Sequence, residues 1–300
     1  MKHTLIGSKN AIFGKALINF VLIIISLLCV IPFIVVVSIS FSSESEVIQH
    51  GYSLLPRGFT LTSYEYILGE PGQILTSYKI SAIVTVLGTF LSVFMMAMSS
   101  YCLARNNFNL RRPYMFYIFF TMLFSGGLVP GYILVSTYLK LSNTIWALIL
   151  PGLINVFHVV LLRTFFQKLP PGLFESAKLD GANEFLIFTK IALPLSTPAL
   201  ATVALLGALG RWNDWFNALL YINTDELAPL QYLLYKIMAD LQFIATANQH
   251  NIPSSVDLSN LPNETARMAM CVIAAGPMMF IFPFFQKYFV KGLTVGSIKE

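Results

Sequence analysis

Long apolar runs, separated by short stretches rich in charge, proline or glycine, set the pattern of this chain. Six runs reach the roughly 20 residues that a helix needs to cross a hydrocarbon core at about 1.5 Å rise per residue. They cover 16–41, 80–103, 114–139, 144–166, 196–221 and 268–289. The pattern predicts an all-α membrane protein with six transmembrane helices. The first run is too long for the apolar core of a signal peptide and has no small-residue cleavage site after it, so it is expected to stay as a helix. The organisation expected is an N-terminal segment, 1–15, followed by one transmembrane domain over 16–300.

Composition agrees with this pattern. Apolar residues make up 56% of the 300 and charged residues 11%, with a mean hydropathy of +0.71. A soluble domain would carry about a quarter charged residues. The net charge of +5 raises the question of a nucleic-acid partner, and the placement of the charges answers it. With the N-terminus inside, thirteen of the nineteen Lys and Arg fall on the inner side, and nine of the fourteen acidic residues fall outside. That asymmetry is the orienting signal of membrane proteins. It places both termini in the cytoplasm of a multi-pass membrane protein, in contact with lipid and not with nucleic acid. Cys29, Cys102 and Cys271 all lie inside apolar runs without paired spacing, which suggests neither a disulfide framework nor a metal site. Two outer segments are long, 42–78 and 222–266. The second holds an amphipathic helix around 227–247 and a polar stretch at 248–263. Each is either a docking surface or a solvated connector.

The connector between the fourth and fifth runs, 170–194, is patterned. Pro170 and Pro171 suit a helix start, where a missing N–H costs nothing. Leu173, Phe174 and Ala177 form an apolar edge, with Glu175, Lys178 and Asp180 on the other sides. Gly181 follows where a left-handed terminating residue is wanted. Asn183 is placed to cap a second short helix in which Phe185, Phe188, Ile191 and Ala192 recur every three or four residues, and Pro194 ends it. The predicted product is a helix–turn–helix elbow on the cytoplasmic surface. It serves either to transmit motion from a soluble motor or to rest on the lipid headgroups.

Glu175, Ala177, Gly181, Ile191, Leu193 and Pro194 stand at the spacing of the loop signature of ABC-importer permeases, with Ser176 in place of the usual alanine. The runs LFSGGLVP (123–130), NTIWALILP (143–151), RTFF (163–166) and WNDWF (212–216) resemble the oligosaccharide-importer permeases of Gram-positive bacteria, in the maltose-type branch. The resemblance extends from about Pro56 to the C-terminus. It implies a type I importer bundle whose elbow is a coupling helix, with Glu175, Ser176, Ala177, Asp180, Gly181 and Ala182 meeting an ATPase. The partners it implies are a second homologous permease, two ATPase subunits or domains that bind ATP and Mg, and an extracellular sugar-binding lipoprotein. The tail KGLTVGSIK (291–299) resembles the family's C-terminal extension, with Glu300 replacing a small residue. His158 departs from the small polar amide of that branch.

Candidate pathway residues lie inside the runs. Arg211 and Asp214, three apart, are expected on one helix face, either as a mutual ion pair or as substrate contacts. A charge at membrane depth costs about 2.5–3.5 kcal/mol on insertion scales, so it needs a partner or a water-filled path. Trp212, Trp215, Asn213 and Asn217 flank them. Aromatic rings and amides suit a carbohydrate path, and they equally suit an interfacial belt. Asn155 and His158 share a face of the fourth run, as helix-packing groups or as substrate contacts. Gly126, Gly127, Pro130 and Gly131 are expected to kink the third run.

No phosphate-loop pattern occurs, so this chain is expected to be non-catalytic, with no cofactor of its own. Two other readings compete with an ATP-driven importer. An ion-coupled sugar carrier needs titratable relays inside the membrane, and only Arg211, Asp214 and His158 are available. A membrane enzyme needs clustered carboxylates or a histidine pair at one interface, and the sequence offers neither.

Overall fold

The computed structural model describes residues 6–69, 71–105, 107–249 and 263–297. Residues 1–5 of the N-terminal segment, most of the polar stretch 248–263 and the last residues of the C-terminal tail lie outside them. Every regular element described is helical. The order is α1 (Ile6–Ser40), α2 (Glu44–His50), α3 (Thr62–Ile67), α4 (Pro71–Ala104), α5 (Arg111–Leu123), α6 (Leu128–Ile133), α7 (Ile145–Ile149), α8 (Val156–Gln167) and α9 (Pro171–Leu179). There follow α10 (Glu184–Ile187), α11 (Leu193–Leu195), α12 (Thr197–Trp212), α13 (Phe216–Tyr221), α14 (Leu230–Gln249) and α15 (Glu264–Ser297). Two π-helical turns, Leu134–Tyr138 and Phe188–Ala192, extend α6 and join α10 to α11.

Gly14–Ser40, Pro71–Ala104 and Glu264–Pro283 are each long and apolar enough to cross a membrane. The runs at 144–166 and 196–221, expected as single helices, are broken, and the run at 114–139 is kinked at its glycines as expected. The third bends by 113° between α5 and the α6 arm, at a break where Gly127 adopts φ +87°. The fourth splits into α7 and α8 around Pro151 and Gly152; Gly152 has φ +71°. A proline lacks the N–H that a continuous helix needs, and a left-handed residue turns the chain out of its path. The fifth stops at Trp212 and restarts at Phe216, and α12 meets the preceding elbow arm at 81°. Apolar composition gives a run its solvent but says nothing about whether it is straight.

The chain divides into two compact units, residues 1–70 with 237–275 and residues 71–236 with 276–300. In the first, α1 exposes apolar side chains on all sides, among them Leu22, Ile25 and Leu28, as a helix in hydrocarbon does. Its C-terminal end is anchored by Ser40, which hydrogen-bonds the Tyr64 hydroxyl at 2.9 Å, and by Phe41, stacked on Tyr64 and Phe59. Glu44 caps the start of α15, accepting from the N–H groups of Glu264 (2.9 Å) and Thr265 (3.0 Å) and from the Thr265 hydroxyl (2.7 Å).

In the second unit α4 is the axis, packed along α8 and α12. Ser77, Ser81, Thr85, Gly88, Ser92 and Ser100 are buried along it, spaced so that a small stripe recurs down the helix. Small residues let membrane helices approach closely, and their hydroxyls then reach neighbouring backbone. Ser81 accepts from the Leu230 N–H at 2.7 Å, Ser92 donates to the Leu153 carbonyl, and Ser100 donates to that of Val159 at 2.9 Å.

Candidate functional site

Two features of the second unit gather the residues that the sequence singles out. The first is the elbow. Helix α9 begins at Pro171 and ends in a closed left-handed turn. The Ala182 N–H reaches back to the Ala177 carbonyl (2.9 Å), the Gly181 N–H to that of Lys178 (3.0 Å), and Gly181 has φ +82°. These paired bonds satisfy carbonyls that a helix end would leave open. Asn183 then caps α10, its Oδ1 accepting from the Leu186 N–H at 2.8 Å. Phe174, Ile187, Phe188 and Ala192 are buried in a core with Tyr101, Leu103 and Phe166, and Ala177 and Ala182 pack against it. Glu175, Ser176, Asp180 and Gly181 face out. Of the apolar positions the pattern marks, Phe174, Phe188 and Ala192 are buried, whereas Leu173 and Phe185 are exposed, and Ile187, which the pattern does not mark, is buried.

The sequence reading missed Glu184. It accepts hydrogen bonds from the Lys178 ammonium (2.6 Å) and the Tyr101 hydroxyl (2.8 Å), with the Arg105 guanidinium 3.7 Å away. Burial pushes its carboxyl up. The bonds from Lys178 and Tyr101, with the charges of Arg105 and Lys178, outweigh that and leave it below the ordinary carboxylate range. Arg105 lies over the Phe174 ring, 4.5 Å from its centroid. The elbow is thus tied to the C-terminal end of α4 by an ionic and aromatic clasp. The available signal was a basic residue just past one apolar run and an acidic one just after the capping asparagine.

The second feature is a polar cavity of about 220 Å³ between α4, α8 and α12, lined by Ser92, Asn155, His158, Arg211, Asp214 and Asn217 among others. Contrary to expectation, Asn155 does not share a helix face with His158. It precedes α8 and caps it, accepting from the His158 N–H at 3.2 Å. Arg211 and Asp214 do not share one either, since Asp214 lies beyond the end of α12. They form no ion pair. Both Asp214 oxygens instead receive Asn217, from its N–H (3.1 Å) and its side-chain amide (2.6 Å). Arg211 crosses to Gly88 on α4, where an added methyl would fall 2.5 Å from Nε and 2.7 Å from Cδ.

The remaining pathway candidates lie outside this cavity's lining. Trp212 is buried with its ring 6.3 Å from that of Tyr78. Trp215 stacks on Tyr235 at 4.4 Å, and Asn213 bonds the Leu209 carbonyl and Gln231. The side chains of a broken helix end leave in different directions, which adjacent positions in a sequence do not reveal.

Residues 4–295 match the family described as the binding-protein-dependent transport system inner membrane component. The chain belongs to this family. Among the proteins similar to this chain is the polygalacturonan/rhamnogalacturonan transport system permease protein YtcP of Bacillus subtilis. YtcP is 40% identical over 291 residues, 97% of this chain and 99% of the relative. The arabinooligosaccharides transport system permease protein AraQ of Halalkalibacterium halodurans is 29% identical over 283 residues, covering 92% and 93%. Among solved structures, a bacterial ABC transporter involved in the import of the acidic polysaccharide alginate aligns with a TM-score of 0.76 and 32% identity. It covers 96% of this chain and all of that one. As an inner membrane component, the chain is a transport subunit of the bacterial membrane, in a system that includes a substrate-binding protein.

Proposed function

We propose that this chain is one permease subunit of an ATP-driven importer of oligosaccharides, working by alternating access. It crosses the membrane six times as a single permease domain over 16–300, the broken segments counting as crossings, with both termini in the cytoplasm. Its partners are a second homologous permease, two ATPase subunits or domains that bind ATP and Mg, and an extracellular sugar-binding lipoprotein. Glu175, Ser176, Ala177, Asp180, Gly181 and Ala182 form the element that meets the ATPase. Asn155, His158, Arg211, Asp214 and Asn217 line the path, with Trp212, Asn213 and Trp215 supporting the break after α12. The relatives' cargoes, from arabinooligosaccharides to alginate, support the saccharide class.

The observation that carries this reading is how the elbow is mounted. It is closed at Gly181, clasped to the end of α4 through Glu184, and continuous with α12 through the bend at 81°. A push on its outward face reaches α4 and α12 together, and these helices wall the polar cavity. A flexible loop would absorb the same displacement.

Gly181→Val tests it. No neighbour lies within 4 Å of an added Cβ, so the penalty is the left-handed backbone alone, about 1–2 kcal/mol. In reconstituted complex, ATP-dependent uptake should fall severalfold while ATP hydrolysis persists. Wild-type uptake with intact coupling would overturn the assignment, as would uptake driven by an ion gradient without any ATPase.

A further inference from the structure

We infer that the polar cavity reads a carboxylate on the transported saccharide, and that Arg211 is the residue that reads it. The inference rests on the import reading above and adds the chemical class of cargo and the residue that selects it. Gly88 falls near the middle of the 34-residue α4, so the Arg211 guanidinium lies opposite the centre of a membrane-crossing helix. A cation at such depth is retained only where something anionic or watery faces it. Among the described residues, no carboxylate comes within ion-pair distance of Arg211. Asp214 lines the same cavity, but it makes no ion pair with the arginine, and its two oxygens each accept a hydrogen bond from Asn217.

The neighbouring helices also leave room for the arginine. Glycine at position 88 leaves the space its side chain occupies, and Gly207 lies on the same side, where an added methyl would be 3.7 Å from Nη1. A path for neutral sugar needs hydroxyl partners, which Ser92, Asn155, His158 and Asn217 already supply. The planar guanidinium adds what those groups lack: a charged, two-pronged donor whose geometry fits a carboxylate. A uronic-acid unit carries that group beside ordinary hydroxyls.

The test uses the whole complex in proteoliposomes, with its binding protein and ATP, and two probes: trigalacturonate and a neutral trisaccharide, maltotriose. The wild type should carry trigalacturonate. Arg211→Met should lower that uptake about tenfold more than it lowers uptake of the neutral probe, and Arg211→Lys should recover at least a third of the wild-type rate. Equal loss for both probes, a lysine variant as inactive as methionine, or a methionine variant with wild-type trigalacturonate uptake would each overturn the inference. Where the wild type carries only the neutral probe, import of saccharide stands and the carboxylate reading falls. Where it carries neither, the saccharide class itself falls.

Discussion

Replacing Glu184 by alanine should loosen the elbow from the membrane domain before it unfolds anything. The side chain holds a 2.6 Å bond from Lys178 and a 2.8 Å bond from Tyr101, with Arg105 at 3.7 Å. A hydrogen bond to a charged group contributes about 1.5–3 kcal/mol when shielded, and an exposed ion pair about 0–1 kcal/mol. The Glu184 side chain is 51% exposed, so the shielded figure must be discounted. Losing both bonds should cost about 1–2 kcal/mol after that discount. Because Arg105 then also loses the anion that holds it over Phe174, the damage should fall on coupling more than on global stability. The assay is the ratio of sugar imported to ATP hydrolysed in reconstituted complex, with the thermal midpoint in detergent as control. Glu184→Ala should lower the ratio severalfold and the midpoint by only a few degrees. The pH dependence gives a separate check. The folded carboxyl titrates below its ordinary value of 4.5, so its contribution is complete above that value and lost as pH falls through the depressed one. Acidifying through that window should therefore cost the wild type more stability than Glu184→Gln. An unchanged coupling ratio together with identical acid sensitivity would refute the clasp.

Asn183→Ala removes the cap of α10 and should cost about 1 kcal/mol, seen as a lower thermal midpoint and faster amide exchange over 184–187. Gly88→Ala places a methyl against Arg211 and should destabilise by about 1–3 kcal/mol; in a double-mutant cycle with Arg211→Ala most of that loss should vanish, and additive losses would show that the two do not touch. Glu44→Ala should cost about 2 kcal/mol in the first unit by stripping three bonds from the start of α15, with Glu44→Gln in between, measured by chemical denaturation in micelles.

The sequence alone determined the solvent, the helical class, the elbow and its terminators. Each of these comes from local chemistry. Apolar length needs hydrocarbon, Gly181 accepts a left-handed turn, and Asn183 caps the short helix after it, whatever else surrounds them. Tertiary structure decided where the helices break and which candidates meet. Pro151 and Gly152 split a run long enough to cross as one helix, and the end of α12 at Trp212 sends Trp212, Trp215 and Asp214 to three different neighbours. Glu184 gained its role only when α4 brought Tyr101 and Arg105 to it from some eighty residues away. Arg211 found its place because Gly88, distant in sequence, leaves room for it. Periodicity and capping act within a turn or two of chain, whereas a clasp or a cavity exists only between segments, and their approach is set by packing of the whole unit.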